Sequence, residues 1–230
     1  GVGIDAIDLE AAKKSKTLVL NTPKAPSQSV AELTIGLMVQ LCRNVNEMHS
    51  NFLDSKWTPM RGRELGGMTL GIVGCGRIGS KVAKIANAIG MTVIGNDIDW
   101  SDLKKKYVTP VDYKNLLKKS DIISFHIPFS EANKHIFSEN ELMLVKDNAI
   151  IINTARGGII DDSALMRYLE NGKLYGVALD VYEDEPNPVK YNKTPRIIFT
   201  PHIGSNTDLG RHKMELGAVE NIIAAIEKGC

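Results

Sequence analysis

An arginine, a glutamate and a histidine in the second half of the chain each stand shortly after an apolar run. Arg156 follows the run AIIIN, Glu185 follows LYGVALDV by a few residues, and His202 follows RIIFT. A guanidinium can hold a carboxylate through two hydrogen bonds, an imidazole exchanges protons near neutral pH, and a carboxylate can orient that imidazole. Together these groups match what hydride transfer to or from a 2-hydroxy acid demands of a protein.

A glycine pattern predicts the cofactor for such chemistry. LGIVGCGRIGSKVAKIA places Gly74, Gly76 and Gly79 in the spacing GxGxxG, between a predicted strand and a predicted helix. The first glycine permits a tight turn, the second lets a pyrophosphate approach the backbone, and the third lets the helix pack on the strand. Asp97 follows Gly79 by eighteen residues, where a carboxylate bonds the ribose 2′-hydroxyl and repels a 2′-phosphate. The motif therefore predicts NAD rather than NADP.

Short apolar runs that alternate with helical patterns must position these groups. The runs are TLGIV at 69–73, TVIGN at 92–96, DIISFHI at 121–127, AIIINTA at 149–155, LYGVALDV at 174–181 and RIIFT at 196–200. Strands that are apolar on both faces and separated by helices indicate a parallel sheet covered on both sides. The sequence thus predicts an α/β fold with a doubly wound parallel sheet over about 67–205. The three side chains should lie at carboxyl ends of strands, beside the cofactor crevice.

Helical periodicity fills the gaps between the runs and both ends of the chain. The spacing of apolar residues predicts helices over 79–90 and 161–170. Before the sheet we expect a short strand over 17–21 and one long helix over about 29–49, and after it a helix over 206–228. The two end helices should pack on the sheet domain or lie at an interface.

Composition narrows the class of protein. Among 230 residues, 28 basic and 27 acidic side chains disfavour binding to nucleic acid or to an anionic membrane surface. No apolar run approaches the ~18 residues that span a bilayer, and the first residues lack the order of a signal peptide. Widely spaced cysteines predict reduced thiols in a cytoplasmic protein. We expect His126 to be a structural histidine with satisfied hydrogen bonds. His49, His135 and His212 have no partners at metal-ligand spacing, so no metal site is predicted.

The sequence resembles the D-isomer-specific 2-hydroxyacid dehydrogenase family in six segments that occur in that family's order. They are GVGIDAIDLEAA, NTPKAPSQSVAELTIGL, LGIVGCGRIG, INTARGGIIDDSAL, GVALDVYEDEP and TPHIGSNT. The resemblance spans nearly the whole chain. It implies NAD-dependent oxidation of a D-2-hydroxy acid, or reduction of the 2-oxo acid, with Arg156, Glu185 and His202 as the catalytic residues. It also implies a homodimer.

The resemblance further implies which residues meet the cofactor. The backbone at 77–78 would contact the pyrophosphate, the segment 127–128 would line the adenine side, and Thr154, Asp180 and the backbone near Gly204 would meet the nicotinamide. Besides the three glycines of the GxGxxG motif, the implied cofactor contacts are Arg77, Ile78, Asp97, Ile127, Pro128, Thr154, Ala155, Arg156, Asp180, His202 and Gly204.

The acid run DVYEDEP divides by expected role. Glu185 should orient His202, seventeen residues later, and Asp180 should serve the nicotinamide end of the cofactor. Glu183 and Asp184 are expected to lie in a solvated loop.

Several activities within the resembled family remain open. Formate dehydrogenases carry an amide at the position of Glu185, so this residue disfavours that activity. Glyoxylate or hydroxypyruvate reductases and D-lactate dehydrogenases keep the same three catalytic residues. SVAELTIGL and GVGIDAIDLEAA favour the members that oxidise D-3-phosphoglycerate in serine biosynthesis. The family's transcriptional corepressors share the fold and the three residues, so a non-enzymatic NAD-binding scaffold also stays open.

The resemblance divides the chain into four parts. Residues 1–25 would be a remnant of a second, flavodoxin-like substrate domain, 26–66 a linking and dimerisation region, 67–205 the NAD-binding Rossmann domain, and 206–230 a helix that returns towards the substrate domain. Full-length members begin with strands that precede GVGID, whereas residue 1 here already lies in that segment, and the backbone at 2–3 would border the substrate carboxylate. We therefore expect a chain of this extent to bind NAD better than it turns over substrate.

Overall fold

Seven parallel strands form one sheet in the computed structural model, which describes residues 1–5, 7–101, 106–187 and 196–228. The strands are β1 (Thr69–Val73), β2 (Thr92–Asn96), β3 (Thr109–Pro110), β4 (Ile122–Phe125), β5 (Ala149–Asn153), β6 (Leu174–Leu179) and β7 (Ile197–Phe199). Their order is β3-β2-β1-β4-β5-β6-β7, and every neighbouring pair is parallel. The direction of winding reverses between β1 and β4, the point where open α/β sheets bind ligands. The predicted doubly wound sheet is confirmed.

Helices cover both faces of this sheet. In the described part of the chain they are α1 (Leu9–Lys14), α2 (Ser27–Cys42), α3 (Val45–Leu53), α4 (Arg77–Ala88), α5 (Tyr113–Lys119), α6 (Glu139–Leu142), α7 (Asp162–Glu170) and α8 (Asp208–Glu227). Side chains just before two of them fix where they begin: Asp161 accepts a hydrogen bond from Ala164 N, and Thr207 accepts one from Gly210 N. None of the described helices combines the length and apolar character needed to cross a membrane.

The core lies in two layers, one on each face of the sheet. Strands β4, β5 and β6 are buried along their whole length. Because successive side chains of a strand point to opposite faces, Ile151 packs in the same layer as Leu165 of α7, while Ile150 packs in the layer of Val82 of α4. Each fully buried Leu or Ile side chain contributes roughly 1.5–3 kcal/mol to folding. Because these strands are packed on both faces, their carboxyl ends, from which the site is built, are held in fixed positions.

The prediction of one long helix over 29–49 is wrong, because α2 and α3 are separate. The chain breaks at Asn44, whose φ of 51° is left-handed, a conformation that asparagine tolerates better than most residues. The Asn44 side chain is fixed there, since its Oδ1 accepts a hydrogen bond from the Tyr175 hydroxyl at 3.0 Å and its Nδ2 donates to Arg61 O at 3.3 Å. A tertiary contact with β6 therefore ends a helix whose apolar pattern continues.

The prediction of a strand over 17–21 is also wrong. Leu18 and Leu20 are exposed, Thr17 N donates to Ala12 O at 2.8 Å in the turn after α1, and Thr22 N donates to Gly1 O at 2.8 Å. A strand needs a neighbouring strand for its hydrogen bonds, and the sheet described above does not extend to this segment. The helices predicted over 79–90, 161–170 and 206–228 are confirmed to within two residues at each end. The two-residue strand β3 was missed because it is too short to show a period.

Candidate active site

A cleft of about 1070 Å³ opens along the carboxyl ends of the strands. Its walls come from the start of α4, from the loops after β4, β5, β6 and β7, and from the first residues of the chain. The predicted site residues that line it are Arg77, Ile78, Ile127, Pro128, Thr154, Ala155, Arg156, Asp180, Glu185, His202 and Gly204. The structure thus brings together side chains that lie far apart in the sequence.

The three glycines of the GxGxxG motif have different surroundings. Gly74 has a φ of 92°, and a Cβ there would lie 2.8 Å from His126 O. A Cβ on Gly79 would lie 2.1 Å from Gly74 O, so this glycine permits the contact between α4 and β1. A Cβ on Gly76 would meet no protein atom within 4 Å. The loop is thus crowded on its protein side and open on its other side.

This open side fits the pyrophosphate of a dinucleotide. Helix α4 begins at Arg77, directly after Gly76, and the N–H groups in the first turn of a helix have no acceptor within that helix. Such N–H groups, together with the positive end of the helix dipole, favour a bound anion. Arg77 and Ile78 line the cleft at this point, so their backbone can hold the phosphates.

Asp97 lies beside the glycine loop, just past the end of β2. Its Oδ2 accepts a hydrogen bond from Cys75 N at 2.7 Å, and its Oδ1 accepts one from Asp99 N at 2.9 Å. These bonds fix the carboxylate next to the loop that would hold the pyrophosphate. The position suits a ribose with a free 2′-hydroxyl and would repel a 2′-phosphate.

His202 and Glu185 form a hydrogen-bonded pair at the cleft. His202 Nδ1 lies 2.9 Å from Glu185 Oε2, while Glu185 Oε1 accepts a hydrogen bond from Tyr182 N at 3.1 Å. Because a carboxylate only accepts hydrogen bonds, the neutral imidazole must carry its proton on Nδ1 and keep the lone pair on Nε2. The arrangement therefore leaves a proton acceptor at Nε2, held in place by a negative charge.

Arg156 is held from two sides. Its Nε donates to Asp5 Oδ2 at 2.8 Å, and its Nη1 donates to Ala155 O at 2.7 Å. A Cβ on Gly3 would lie 1.9 Å from Arg156 Nη2, so the guanidinium packs against the backbone at Gly3. The turn before Arg156 is fixed by Asn153, whose side chain bonds Ala155 N and Arg156 O. The guanidinium keeps further N–H donors for an anionic ligand.

Asp180 holds the loop that carries His202. This aspartate is 1% exposed, and its oxygens accept hydrogen bonds from the Thr200 hydroxyl, from Ile203 N at 2.8 Å and from Gly204 N at 2.8 Å. We predicted that Asp180 serves the nicotinamide end of the cofactor, and that remains a prediction. The role visible in the structure is the fixing of residues 200–204, which sequence reasoning missed.

Glu183 and Asp184 lie in a turn after β6, where the sequence predicted a loop. Glu183 is exposed there, as expected for a solvated loop, and its carboxylate also pairs with His135 Nε2. The backbone N of Glu183 also donates to Asp162 Oδ2 at 2.8 Å. Asp184 is half-buried. The periodicity of the sequence holds no signal for these contacts, because they join loops after different strands.

His126 departs in part from its expected role. Its Nε2 bonds the Ser124 hydroxyl at 3.0 Å, but its buried Nδ1 has no hydrogen-bond partner among the described residues. Burial lowers the pKa of His126 to about 3, so the ring stays neutral in the working pH range. Across the described ranges, no group of three or more His, Cys, Asp or Glu side chains could hold a metal ion.

Comparisons with known proteins agree with this geometry. A family model described as D-isomer specific 2-hydroxyacid dehydrogenase, NAD binding domain, matches residues 35–204. A hydroxypyruvate reductase of Thermotoga maritima is 40% identical over 230 residues, which cover 96% of this chain and 74% of that protein. A D-3-phosphoglycerate dehydrogenase of Methanocaldococcus jannaschii is 44% identical over 216 residues, or 90% of this chain. The chain spans only 41% of the length of that second relative.

Solved structures of similar proteins share the whole described architecture. A D-lactate dehydrogenase from Aquifex aeolicus, complexed with NAD and lactic acid, matches with a TM-score of 0.89 at 33% identity, over 100% of this chain and 75% of that chain. A glyoxylate reductase from Paecilomyes thermophila matches with a TM-score of 0.93 at 36% identity, over 100% of this chain and 71% of that chain. The chain therefore belongs to the D-isomer specific 2-hydroxyacid dehydrogenase family, and its cofactor is NAD.

Proposed function

We propose that this chain oxidises a D-2-hydroxy acid to the 2-oxo acid, or reduces the 2-oxo acid, with His202, Glu185 and Arg156 as its catalytic residues. The observation that carries the proposal is the 2.9 Å hydrogen bond between His202 Nδ1 and Glu185 Oε2, in a cleft that Arg156 also lines. A proton acceptor, its carboxylate partner and a cation thus face one space. These are the groups that the reaction needs from the protein.

His202 acts as the base in the direction of oxidation. NAD held at the glycine loop would supply the acceptor for the hydride on C2 of the substrate. The Nδ1–H of His202 is donated to Glu185, so Nε2 receives the proton of the substrate hydroxyl. The positive charge that develops on the ring then lies next to the Glu185 carboxylate, which stabilises it. General base catalysis of this kind contributes roughly 10²–10⁴-fold to the rate.

Arg156 holds the carboxylate of the substrate. Its Nε is bonded to Asp5 and one N–H of Nη1 is bonded to Ala155 O, so the other Nη hydrogens remain for the ligand. A guanidinium can bind a carboxylate bidentately, which fixes the orientation of C2. It also stabilises the partial negative charge of the carbonyl oxygen.

Within this class we propose D-3-phosphoglycerate as the substrate. Support comes from the segments GVGIDAIDLEAA and SVAELTIGL and from the 44% identity to the D-3-phosphoglycerate dehydrogenase of Methanocaldococcus jannaschii. Hydroxypyruvate and glyoxylate are the second candidates, because a hydroxypyruvate reductase is 40% identical and a glyoxylate reductase of Thermococcus litoralis is 37% identical.

A panel of D-2-hydroxy and 2-oxo acids, each tested with NAD(H) and NADP(H), distinguishes these substrates through absorbance of the reduced nicotinamide. We expect kcat/KM for D-3-phosphoglycerate to exceed that for the other hydroxy acids by at least about tenfold, or about 1.4 kcal/mol of transition-state stabilisation. A higher kcat/KM for hydroxypyruvate or glyoxylate would overturn this substrate. NAD binding without turnover of any acid, measured with the substrate domain present, would favour the scaffold function instead.

We also propose a homodimer and the four-part division of the chain predicted from the resemblance. The region 26–66 leaves large apolar side chains exposed, since Phe52 is 63% exposed, Leu53 70% and Trp57 83%. Exposed apolar side chains so close together favour a protein interface. Light scattering measures the mass in solution, and Trp57→Ala should shift it towards the monomer.

A further inference from the structure

Three loops meet at one rim of the cleft, and each carries part of the site. The loop after β4 carries residues 127–128, the loop after β5 carries Arg156, and the loop after β6 carries Glu185. Glu185 must lie within hydrogen-bond distance of His202, yet it stands in an irregular segment past the end of β6. Contacts with the neighbouring loops must therefore fix its position.

The loops after β4 and β5 are joined by main-chain hydrogen bonds. His135 N donates to Gly158 O at 2.8 Å, and Asp161 N donates to Phe137 O at 2.9 Å. His135 has a left-handed φ of 51°, which is uncommon for a residue other than glycine and requires support from its surroundings. These bonds fix the backbone that carries the His135 ring.

The loop after β6 is joined to both of the others at Glu183. Its backbone N donates to Oδ2 of Asp162, which is the first residue of α7 and is 2% exposed. Its carboxylate pairs with His135 Nε2. Each pair of loops is thus connected, and the connection between the loops after β4 and β6 is made by the side chains of His135 and Glu183.

Glu183 lies two residues before Glu185 in the same turn, so the position of Glu183 constrains that of Glu185. Tyr182 is fixed by its ring, which packs edge-on against Phe199 with 6.0 Å between the centroids, and Tyr182 N donates to Glu185 Oε1 at 3.1 Å. The other oxygen of Glu185 meets His202. With Tyr182 and Glu183 both held, the Glu185 carboxylate is directed at the imidazole.

We propose that His135 and Glu183 are positioning residues that hold Glu185 against His202. This inference rests on the proposed function, in which His202 is the base. The His135 and Glu183 side chains are 36% and 33% exposed, and a polar pair exposed to this degree contributes little to stability. A displacement of about 1 Å at a catalytic group can nevertheless lower a rate about 100-fold. The pair should therefore affect turnover more than folding.

A double-mutant cycle on the full chain tests this proposal. His135→Ala and Glu183→Ala should each lower kcat about tenfold, and the double variant should be no slower than either, because both remove the same contact. KM and the Kd of NAD should change by less than about twofold. Glu183→Gln keeps an acceptor for His135 and should recover most of the activity. The matched control is Glu131→Ala, which removes an exposed carboxylate from the loop that also carries His135.

Additive losses in the cycle, or a loss of NAD affinity equal to the loss of kcat, would overturn the proposal. Unchanged kcat in both single variants would overturn it as well. His202→Asn in the same assay separates a failure of the positioning role from a failure of the proposed function. If His202→Asn is inactive while the cycle variants are fully active, only the positioning role fails, whereas a fully active His202→Asn refutes the proposed function itself.

A second readout does not depend on turnover. The ¹⁵N resonances of the His202 ring report the hydrogen bond at Nδ1, and Glu185→Ala sets their values without it. With His135→Ala or Glu183→Ala, the His202 resonances should move towards those of Glu185→Ala, while Glu131→Ala leaves them unchanged. Resonances that stay at the wild-type values in both variants would refute the positioning role even in a chain that turns over no substrate.

Discussion

The two halves of the cleft present different groups to a ligand. In the β1–α4–β2 half, the glycine loop presents backbone N–H groups and open space, and a Cβ at Gly79 would clash at 2.1 Å. In the β5–β6–β7 half, the cleft presents side chains. These are held by contacts between residues far apart in the sequence, such as Arg156 with Asp5, 151 positions away. The cofactor half is therefore sensitive to added atoms, and the catalytic half is sensitive to removed ones.

Removal of the imidazole should give the largest effect. His202→Asn is expected to lower kcat by about 10³-fold, because the proposed base is lost, while the Kd of NAD stays within about twofold. Steady-state kinetics and a fluorescence titration of the cofactor measure the two quantities. His212→Asn, on the exposed face of α8, is the control and should be fully active. Equal losses of NAD binding and turnover would show that the two halves are not separate.

Addition of a methyl group to the glycine loop should instead lower the affinity for NAD. Gly79→Ala places a Cβ against Gly74 O and should cost about 1–3 kcal/mol of stability together with NAD affinity. Gly76→Ala meets no protein atom, so the fold should keep its stability while NAD affinity falls by about tenfold, because the methyl group occupies the approach of the pyrophosphate. Urea denaturation and NAD titration check both. NAD affinity that survives in Gly76→Ala would contradict the role of the loop.

A change of charge at Asp97 should alter which cofactor the first half accepts. Asp97→Asn keeps the size of the side chain but removes the repulsion of a 2′-phosphate, so the preference for NAD over NADP should fall by about tenfold. The ratio of kcat/KM for the two cofactors is the measurement, with Asp99→Asn as the control. Because the catalytic half is untouched, kcat at saturating NAD should hold. An unchanged cofactor ratio would mean that another group makes the selection.

The smallest expected effect concerns His126, the residue directly after β4, the strand that lies between the two halves. The pKa of an unfolded histidine is about 6.5, whereas burial lowers the pKa of His126 to about 3 in the folded chain. Below pH 6.5 the unfolded chain therefore binds a proton that the folded chain does not, so stability is full above that pH and falls as the pH drops towards 3. Between pH 7.5 and 5.5, the free energy of unfolding of His126→Asn should fall by about 1 kcal/mol less than that of wild type. Urea denaturation measures this difference, and His212→Asn should behave like wild type.

The glycine half was the easier to predict because its contacts are local. The strand, tight turn, helix and second strand of residues 69–97 follow each other directly, and the register of the motif fixes Gly74, Gly76, Gly79 and Asp97 relative to each other. The break at Asn44 could not be predicted in this way. The apolar spacing of α2 continues past it, and the bond that holds Asn44 comes from Tyr175, 131 positions later.

What the sequence by itself determined is the kind of fold, the cofactor and the types of the reacting groups, because periodicity and motif spacing are properties of neighbouring residues. The tertiary structure decided which groups meet: Asp180 with the loop of His202, Arg156 with Asp5, and Glu183 with His135. These contacts join the loops after different strands to each other and to the first residues of the chain. Their geometry depends on the order of the strands in the sheet and on the packing that brings the loops together, and neither is encoded within any one segment.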